Sequence, residues 1–276
     1  MNMNWLQSLI YGLVSGLCEF LPISSHAHQS LLIQLFGVDM RDPLCDMIIH
    51  LALVFSLLTG CRSIIDQLRR EQKLKLHNYR THRGTQSLLE LRLVKNAAIP
   101  MLIGLLLLSY VIKTQTNLLL TAVFFLINGV LLYIPERMMQ GNKDARSMSG
   151  MDSVLIGSAG ALSAFSGISR IGATASVSLA RGADRQKALS WALLLSIPAL
   201  ILLIGLDFIA VVSRFGEINF WRSLFGYLLS AAGAYFGGYI GISFMKFLTV
   251  RTGYSGFAYY SWGAALLSFL LYLTVV

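Results

Sequence analysis

The chain has 276 residues, of which 55% are hydrophobic and 13% charged, and its mean hydropathy is +0.66. Soluble domains carry about 25% charged residues, so the composition excludes a soluble protein and indicates an integral membrane protein. The net charge of +9 does not indicate nucleic-acid binding, because the basic residues lie between the apolar stretches. Three cysteines without CxxC spacing predict neither a disulfide framework nor a metal site.

The first half of the chain begins with two short apolar segments, at residues 5–19 and 25–36. Each is shorter than the roughly 20 residues that a helix needs to cross a bilayer. Pro22 lies between them and breaks the helix. We therefore predict a re-entrant hairpin, which enters the membrane and turns back. Full spans are predicted to follow at 46–66, 95–113 and 117–135, with a long polar stretch at 67–94.

The second half repeats this plan. Short helices are predicted at 151–165 and 172–181, on either side of a break at 166–170. Full spans are predicted to follow at 187–211, 220–246 and 255–275. The predicted fold is an all-α integral membrane protein of one domain, 1–276, with six crossings. Its two repeats, about 1–135 and 151–276, each contain one re-entrant helical hairpin and three transmembrane helices.

The two predicted hairpins are similar in sequence at a constant offset of 145 residues. Five identities surround the two helix breaks without a gap: Gly12/Gly157, Leu17/Leu162, Phe20/Phe165, Ile23/Ile168 and Ser24/Ser169. The next pair, Ser25 and Arg170, places a hydroxyl opposite a guanidinium. This pattern predicts an internal duplication.

The distribution of positive charge predicts the orientation. In the proposed topology, 17 of the 22 Lys and Arg residues lie on one side of the membrane, which the positive-inside rule makes cytoplasmic. Both termini then lie outside. Because three spans per repeat is an odd number, the repeats have inverted topology. Their hairpin tips meet near the midplane, where inverted-repeat transporters bind their substrates.

The two hairpin tips carry the polar residues that are most costly to place in a membrane, and such residues mark functional sites. The planar guanidinium of Arg170 suits phosphate recognition. Helix N-termini near Ser24 and Ser169 also favour an anion. Together these groups predict phosphoryl transfer. The candidate residues are Glu19, Ser24, Ser25, His26 and His28 in the first tip, and Ser169, Arg170, Gly172 and Thr174 in the second.

Simpler interpretations exist for several of these residues. A membrane serine such as Ser24 often bonds the carbonyl one turn back. His26 is also compatible with a loop facing water, and Arg170 with a salt bridge to Glu19 across the tips. The small residues at 233, 237, 238 and 241 fit either packing within the bundle or a homodimer.

At the two tips the sequence resembles the undecaprenyl-diphosphatase family, also called the bacitracin-resistance phosphatases. The family motifs are ExxxE followed by FLPxSSxGH, and later PGxSRSxxT. Here Glu19, FLPISS at 20–25 and His28 match the first motif, and SGISRIGAT at 166–174 matches the second. Asp184-Arg185 and LLSIP, ending at Pro198, also resemble the family, so the similarity spans most of the chain.

The resemblance implies a hydrolase that removes the terminal phosphate of undecaprenyl diphosphate for cell-wall glycan synthesis. It implies a site open to the outer face of the bacterial plasma membrane and a divalent cation, Mg²⁺ or Ca²⁺. By position, Glu19 would be the acid and cation ligand, and Ser25 and His28 the nucleophile and its proton partner in either order. The guanidinium of Arg170 would be a catalytic group that binds the diphosphate. The remaining substrate-binding residues would be Ser24, His26, Ser169, Gly172 and Thr174.

The sequence departs from the family pattern at six positions. Ser15 replaces the first acid, for which Asp46 or His26 are candidate substitutes. Because the acid pair is incomplete, the alternative function is non-hydrolytic translocation of a polyprenyl phosphate on the same scaffold. The other departures are Ala27 and Ser166 in place of glycine and proline, Ile171 in place of serine, His50 in place of glutamine, and Ser190 in place of glutamate.

Overall fold

The structure is a computed structural model that describes residues 3–38, 42–77, 86–111, 117–138, 141–217 and 220–275. Within these ranges the chain forms eleven α-helices and two short 3₁₀ turns, and its only β-type pairing is an isolated bridge between Lys143 and Ala183. Arg41, Arg80, Arg83 and Lys113, which were counted in the charge distribution, lie outside the described residues.

The described helices of the two halves follow the same order, except that α4 has no counterpart in the second half. The first half contains α1 (Trp5–Phe20), α2 (Ser25–Leu35), α3 (Pro43–Gly60), α4 (Arg62–His77), α5 (Gln86–Val111) and α6 (Leu118–Arg137). The second contains α7 (Gly150–Ala161), α8 (Arg170–Ala180), α9 (Arg185–Ser213), α10 (Phe220–Arg251) and α11 (Ser255–Val275). Helices α7 and α8 begin 145 residues after α1 and α2, which is the offset found in the sequence.

Six of the described helices are long and apolar enough to cross a membrane: α3, α5, α6, α9, α10 and α11. The predicted all-helical, multi-pass architecture with six candidate crossings is therefore confirmed. Helices α1, α2, α7 and α8 are shorter, with 16, 11, 12 and 11 residues.

The predicted first span at 46–66 is wrong in its bounds. Helix α3 ends at Gly60, and α4 begins at Arg62, inside the predicted span, and continues to His77, into the stretch that was predicted to be polar. The charges on α4 are partly paired along the helix itself, because Asp66 lies 3.6 Å from Arg62 and 4.0 Å from Arg69. Polarity therefore indicated a surface segment correctly but did not exclude a helix.

The bounds of the second hairpin also differ from the prediction. Helix α7 stops at Ala161 and is followed by a 3₁₀ turn at Leu162–Ala164, so the predicted helix at 151–165 is too long. Helix α8 begins at Arg170, which was placed in the break. The reason is local: the Ser169 side chain accepts a hydrogen bond from the Gly172 N–H and so caps the helix one residue before Arg170.

The two halves interlock. Helix α1 packs along α10 of the second half, and α7 packs against α5 of the first half. Helix α3 faces α9, and α6 faces α11. Since the first helix of each hairpin finds its main partner in the other half, both hairpins are fixed inside one continuous bundle.

Small residues bring α1 and α10 into backbone contact. A Cβ atom added at Gly12 would lie 2.1 Å from the Ser230 carbonyl oxygen, and one added at Gly237 would lie 2.3 Å from the Leu13 carbonyl oxygen. The Ser230 hydroxyl also donates to the Ser8 carbonyl at 3.0 Å. The glycine stripe predicted from the sequence thus packs helices within this chain.

Ion pairs fix the beginning of α9 to two other helices. The Lys187 Nζ atom lies 2.5 Å from Glu90 of α5, and the Arg185 guanidinium lies 2.5 Å from Glu136 of α6. These contacts stabilise the N-terminal end of α9.

We expect Gly12→Leu to lower the melting temperature in detergent by about 5 °C or more, since overpacking at a backbone contact costs about 1–3 kcal/mol or more. Gly205→Ala is the matched control, because a Cβ at Gly205 meets no atom within 4 Å. Equal melting temperatures for the two variants would contradict the close contact between α1 and α10.

Candidate functional site

The first hairpin turns at Ser24, which has a backbone conformation that is rare outside glycine. Its φ is 64°, in the left-handed region, and it directly precedes α2. Such strain costs about 1–3 kcal/mol and persists only where the surroundings hold it. The Gly167 N–H of the second tip donates to Ser24 Oγ at 3.0 Å. The Ser24 hydroxyl therefore joins the two tips, contrary to the interpretation that it only bonds its own helix.

The second tip is fixed to the first by Ser169. Its hydroxyl donates to the Leu21 carbonyl at 3.1 Å and also caps α8. Gly172 lies one turn further along, where an added Cβ would be 3.1 Å from the Pro22 side chain. The tips therefore touch, as the sequence predicts, and Gly172 permits the close approach.

Asn128 of α6 links both tips to α11 and was missed by the sequence analysis. Its Oδ1 accepts the Ser169 N–H at 2.9 Å, and its Nδ2 donates to the Pro22 carbonyl at 2.9 Å and to Ser261 Oγ at 3.0 Å. The residue is fully buried. A lone asparagine in an apolar stretch was the available signal, since buried amides in membrane helices need partners.

A buried ion pair occupies the centre of the junction. Arg170 Nη2 donates to Glu19 Oε1, and the Ser25 hydroxyl donates to Glu19 Oε2. Only 6% of the Arg170 side chain and 7% of the Glu19 side chain are exposed. Arg170 Nε is fully enclosed and has no hydrogen-bond partner. The proposed salt bridge between the tips thus exists, and it leaves one enclosed guanidinium donor without a partner.

His28 lies on α2, three residues after Ser25. Its Nδ1 is 2.8 Å from the Ser24 carbonyl oxygen, which can only accept, so Nδ1 carries the proton of this hydrogen bond. Its Nε2 lies 2.6 Å from the hydroxyl of Tyr260, on α11. In neutral His28, Nε2 therefore accepts from Tyr260. Tyr260 was not predicted, because nothing near it in sequence belongs to either tip.

A second pair of ionisable residues lies in the spans next to the tips. His50 Nδ1 of α3 is 2.6 Å from Asp207 Oδ2 of α9. Electrostatic interactions connect Glu19 with His50, His26 and Arg170, so the histidines lie near the same carboxylate. Asp207 was missed, although it is the only acid in the apolar stretch 188–213, which is itself a signal of function.

Several predicted or departing residues have their side chains occupied locally. The Thr174 hydroxyl donates to the Arg170 carbonyl at 2.7 Å, and the Ser15 hydroxyl donates to the Tyr11 carbonyl at 2.6 Å. Ile171 is fully buried in the apolar core. Asp46, a candidate substitute for the missing acid, accepts a hydrogen bond from Tyr11 at 2.9 Å. Thr174 therefore supports the helix that carries Arg170.

The described residues include no group of three or more His, Cys, Asp or Glu side chains that could hold a metal ion by themselves. Glu19 is the carboxylate at the junction of the tips, and Arg170 and Ser25 already contact it. Any cation at this position would need further oxygen ligands from a substrate or from water.

Comparisons with known proteins show the family of this chain. A family model described as Bacitracin resistance protein BacA matches residues 8–267. Undecaprenyl-diphosphatase 3 of Bacillus cereus is 32% identical over 274 residues, which cover 99% of this chain and 100% of the relative. Undecaprenyl-diphosphatases of Carboxydothermus hydrogenoformans and Methanobrevibacter smithii are 30% and 31% identical; the alignments cover 94% of both chains in the first case, and 97% of this chain and 98% of the relative in the second.

We expect Asn128→Leu to destabilise the junction of the tips, because it leaves the Ser169 N–H and the Pro22 carbonyl buried without partners. Each unsatisfied group costs about 1–3 kcal/mol, so the melting temperature should fall by about 5–10 °C. Ile127→Ala, at a side chain on the exposed face of the same helix, is the control. A loss no larger than that of the control would contradict the linking role of Asn128.

Proposed function

The chain belongs to the bacitracin resistance protein BacA family, and we propose that it is an undecaprenyl-diphosphate phosphatase. It would hydrolyse the terminal phosphate of the polyprenyl diphosphate carrier and release the monophosphate for cell-wall glycan synthesis. The observation that carries this proposal is the Glu19–Ser25–Arg170 arrangement, in which a hydroxyl, a carboxylate and a guanidinium converge inside an apolar bundle. The identity of the substrate is inferred from the names of the relatives, which are undecaprenyl-diphosphatases.

We propose Ser25 as the nucleophile. Its hydroxyl already donates to Glu19, which is the geometry of a nucleophile beside its base, whereas within the described chain no hydrogen bond joins His28 to Glu19. Ser25 Oγ would form a bond to the terminal phosphorus while its proton passes to Glu19. The bridging P–O bond breaks, and its electron pair leaves with the lipid monophosphate. Water then cleaves the phosphoserine, which releases phosphate and restores the Ser25 hydroxyl.

Arg170 would hold the terminal phosphate during this transfer. Its Nε donor has no partner within the described chain, and a guanidinium is suited to two phosphate oxygens at once. Ser24 and Ser169 directly precede α2 and α8, so both helices begin at the site, which favours an anion. We assign His28 to proton exchange with the leaving or entering oxygen, oriented by Ser24 and Tyr260.

A divalent cation, Mg²⁺ or Ca²⁺, is part of the proposal. The donor set suits it, since such ions are commonly held by one or two carboxylates together with substrate phosphates, and Glu19 provides one carboxylate. When bound, the cation would neutralise diphosphate charge. Ser25 and Arg170 would keep their roles in attack and in phosphate binding.

We further propose that the two halves are inverted repeats, with both termini and the site opening on the outer face of the plasma membrane. Supporting this are the repeated order of elements, the helix starts at an offset of 145 residues and the exchange of partners between α1·α10 and α7·α5. The bias of 17 out of 22 basic residues supports the orientation.

The first test is phosphate release from undecaprenyl diphosphate by the purified protein in detergent, with Mg²⁺ or Ca²⁺. We expect cation-dependent turnover, and at least about 10³-fold loss in Ser25→Ala and in Arg170→Ala, since removal of a nucleophile or charge clamp removes most of the rate. Arg62→Ala, at an exposed position on α4, should keep full activity. Folded protein that binds the lipid without turnover would favour the translocase instead.

Tyr260→Phe tests the assignment of His28. Loss of the hydroxyl removes one anchor of the imidazole, so we expect kcat to fall about tenfold while KM changes by less than about threefold. Tyr259→Phe is the matched control, because the Tyr259 hydroxyl makes no hydrogen bond within the described chain and its ring packs against Tyr133 and Trp262. Unchanged kcat in Tyr260→Phe would remove Tyr260 from the site.

A further inference from the structure

His50 and Asp207 form a polar pair that the mechanism above does not use. They lie on facing spans, α3 and α9, and only 7% of the His50 side chain and 20% of the Asp207 side chain are exposed. His50 is seven residues from the start of α3, and Asp207 is six residues from the end of α9. At about 1.5 Å per residue, each lies roughly 10 Å inside its helix, where ionisable groups are costly unless they function.

The free nitrogen of His50 is the feature that points to a ligand. Nδ1 is occupied by Asp207, and Nε2 makes no hydrogen bond within the described chain. Unlike Arg170 Nε, the Nε2 atom of His50 is not fully enclosed, so space remains beside it. An imidazole whose Nδ1 is held by a carboxylate has a fixed ring orientation, and in its protonated form its Nε2–H is a donor.

His50 lies within electrostatic range of Glu19, on a helix that contacts α1. It interacts electrostatically with Asp207 of α9, Glu19 of α1 and Asp46 of its own helix. Helix α10 presents Tyr227 and Lys246 to the two ends of α3, where they bond Asp42 and the Gly60 carbonyl. Glu19 therefore interacts electrostatically with three cationic or potentially cationic side chains, Arg170, His50 and His26.

We propose that His50, held by Asp207, is an additional phosphate-binding residue of this site, with Nε2–H donating to an oxygen of the diphosphate. The assignment rests on the proposed function for the identity of the ligand. A triply charged diphosphate needs more positive charge than Arg170 alone provides, and a second donor beside Glu19 meets that need. The resemblance places a glutamine at this position, whose amide N–H would serve as a neutral donor of similar reach.

The test measures equilibrium binding of a methylene-bridged, non-hydrolysable prenyl diphosphate analogue to the full-length protein in nanodiscs. We expect His50→Leu to weaken binding by about 10- to 100-fold, as for loss of a hydrogen bond to a charged group, and His50→Gln by less than about threefold. Binding of the uncharged prenyl alcohol should not change. Asp207→Asn should weaken analogue binding by about fivefold, and it replaces His50→Leu if that variant does not fold.

Lys187→Gln is the control for stability, since it breaks the ion pair between α9 and Glu90 away from the site. It should lower the melting temperature but leave both affinities unchanged. Unchanged analogue binding in His50→Leu, or an equal loss of alcohol binding, would overturn the assignment. Analogue binding by His50→Gln that is as weak as binding by His50→Leu would also overturn the assignment. Wild-type protein that binds the analogue through His50 but releases no phosphate would retain the binding role and refute the phosphatase.

Discussion

The Glu19–Arg170 ion pair is the interaction on which the rest of the structure depends. Burying two charges in an apolar bundle carries a large desolvation cost, and removing either partner leaves the other uncompensated. The two hairpin tips must therefore stay together, although they come from opposite halves of the chain. The hydroxyl of Ser24, the hydroxyl of Ser169 and the amide of Asn128 all hold this junction in place. Apolar side chains at these two positions would pack equally well. The presence of an ion pair there therefore indicates a role in binding or catalysis.

The departures from the family pattern change the charge of the site in a consistent way. Ser15, at the position of the missing acid, turns its hydroxyl onto its own helix, so one negative charge is absent. His50 adds a basic group on the facing span. With one carboxylate fewer and an additional imidazole, the site carries less negative charge opposite an anionic ligand. Ile171 contributes to the core, and the tip containing it is held by Ser169.

Much of the architecture could be predicted from the sequence, because it is written in local patterns. Apolar length predicts the six spans, Pro22 and the repeated serines predict the two hairpins, and Glu19, Ser25 and Arg170 follow from the cost of polar groups at membrane depth. Helix α4 was missed because charged residues pair along a helix as readily as they fill a loop. Asn128, Asp207 and Tyr260 were missed or unassigned because their partners are distant in sequence, at separations of 106, 157 and 232 residues.

The interlocked packing of the two halves has a consequence for how the protein is made. The surface of α1 that is complementary to α10 is synthesised first, and its partner emerges more than 200 residues later, as the Ser8–Ser230 separation of 222 residues indicates. During translation the first hairpin therefore has no native neighbour along most of its length. Its polar tip must be sheltered by lipid headgroups, by water or by the insertion machinery until the second half arrives. The contact between α1 and α10 thus forms late in biosynthesis, and a chain truncated before the second tip would lack Arg170 and its ion pair with Glu19.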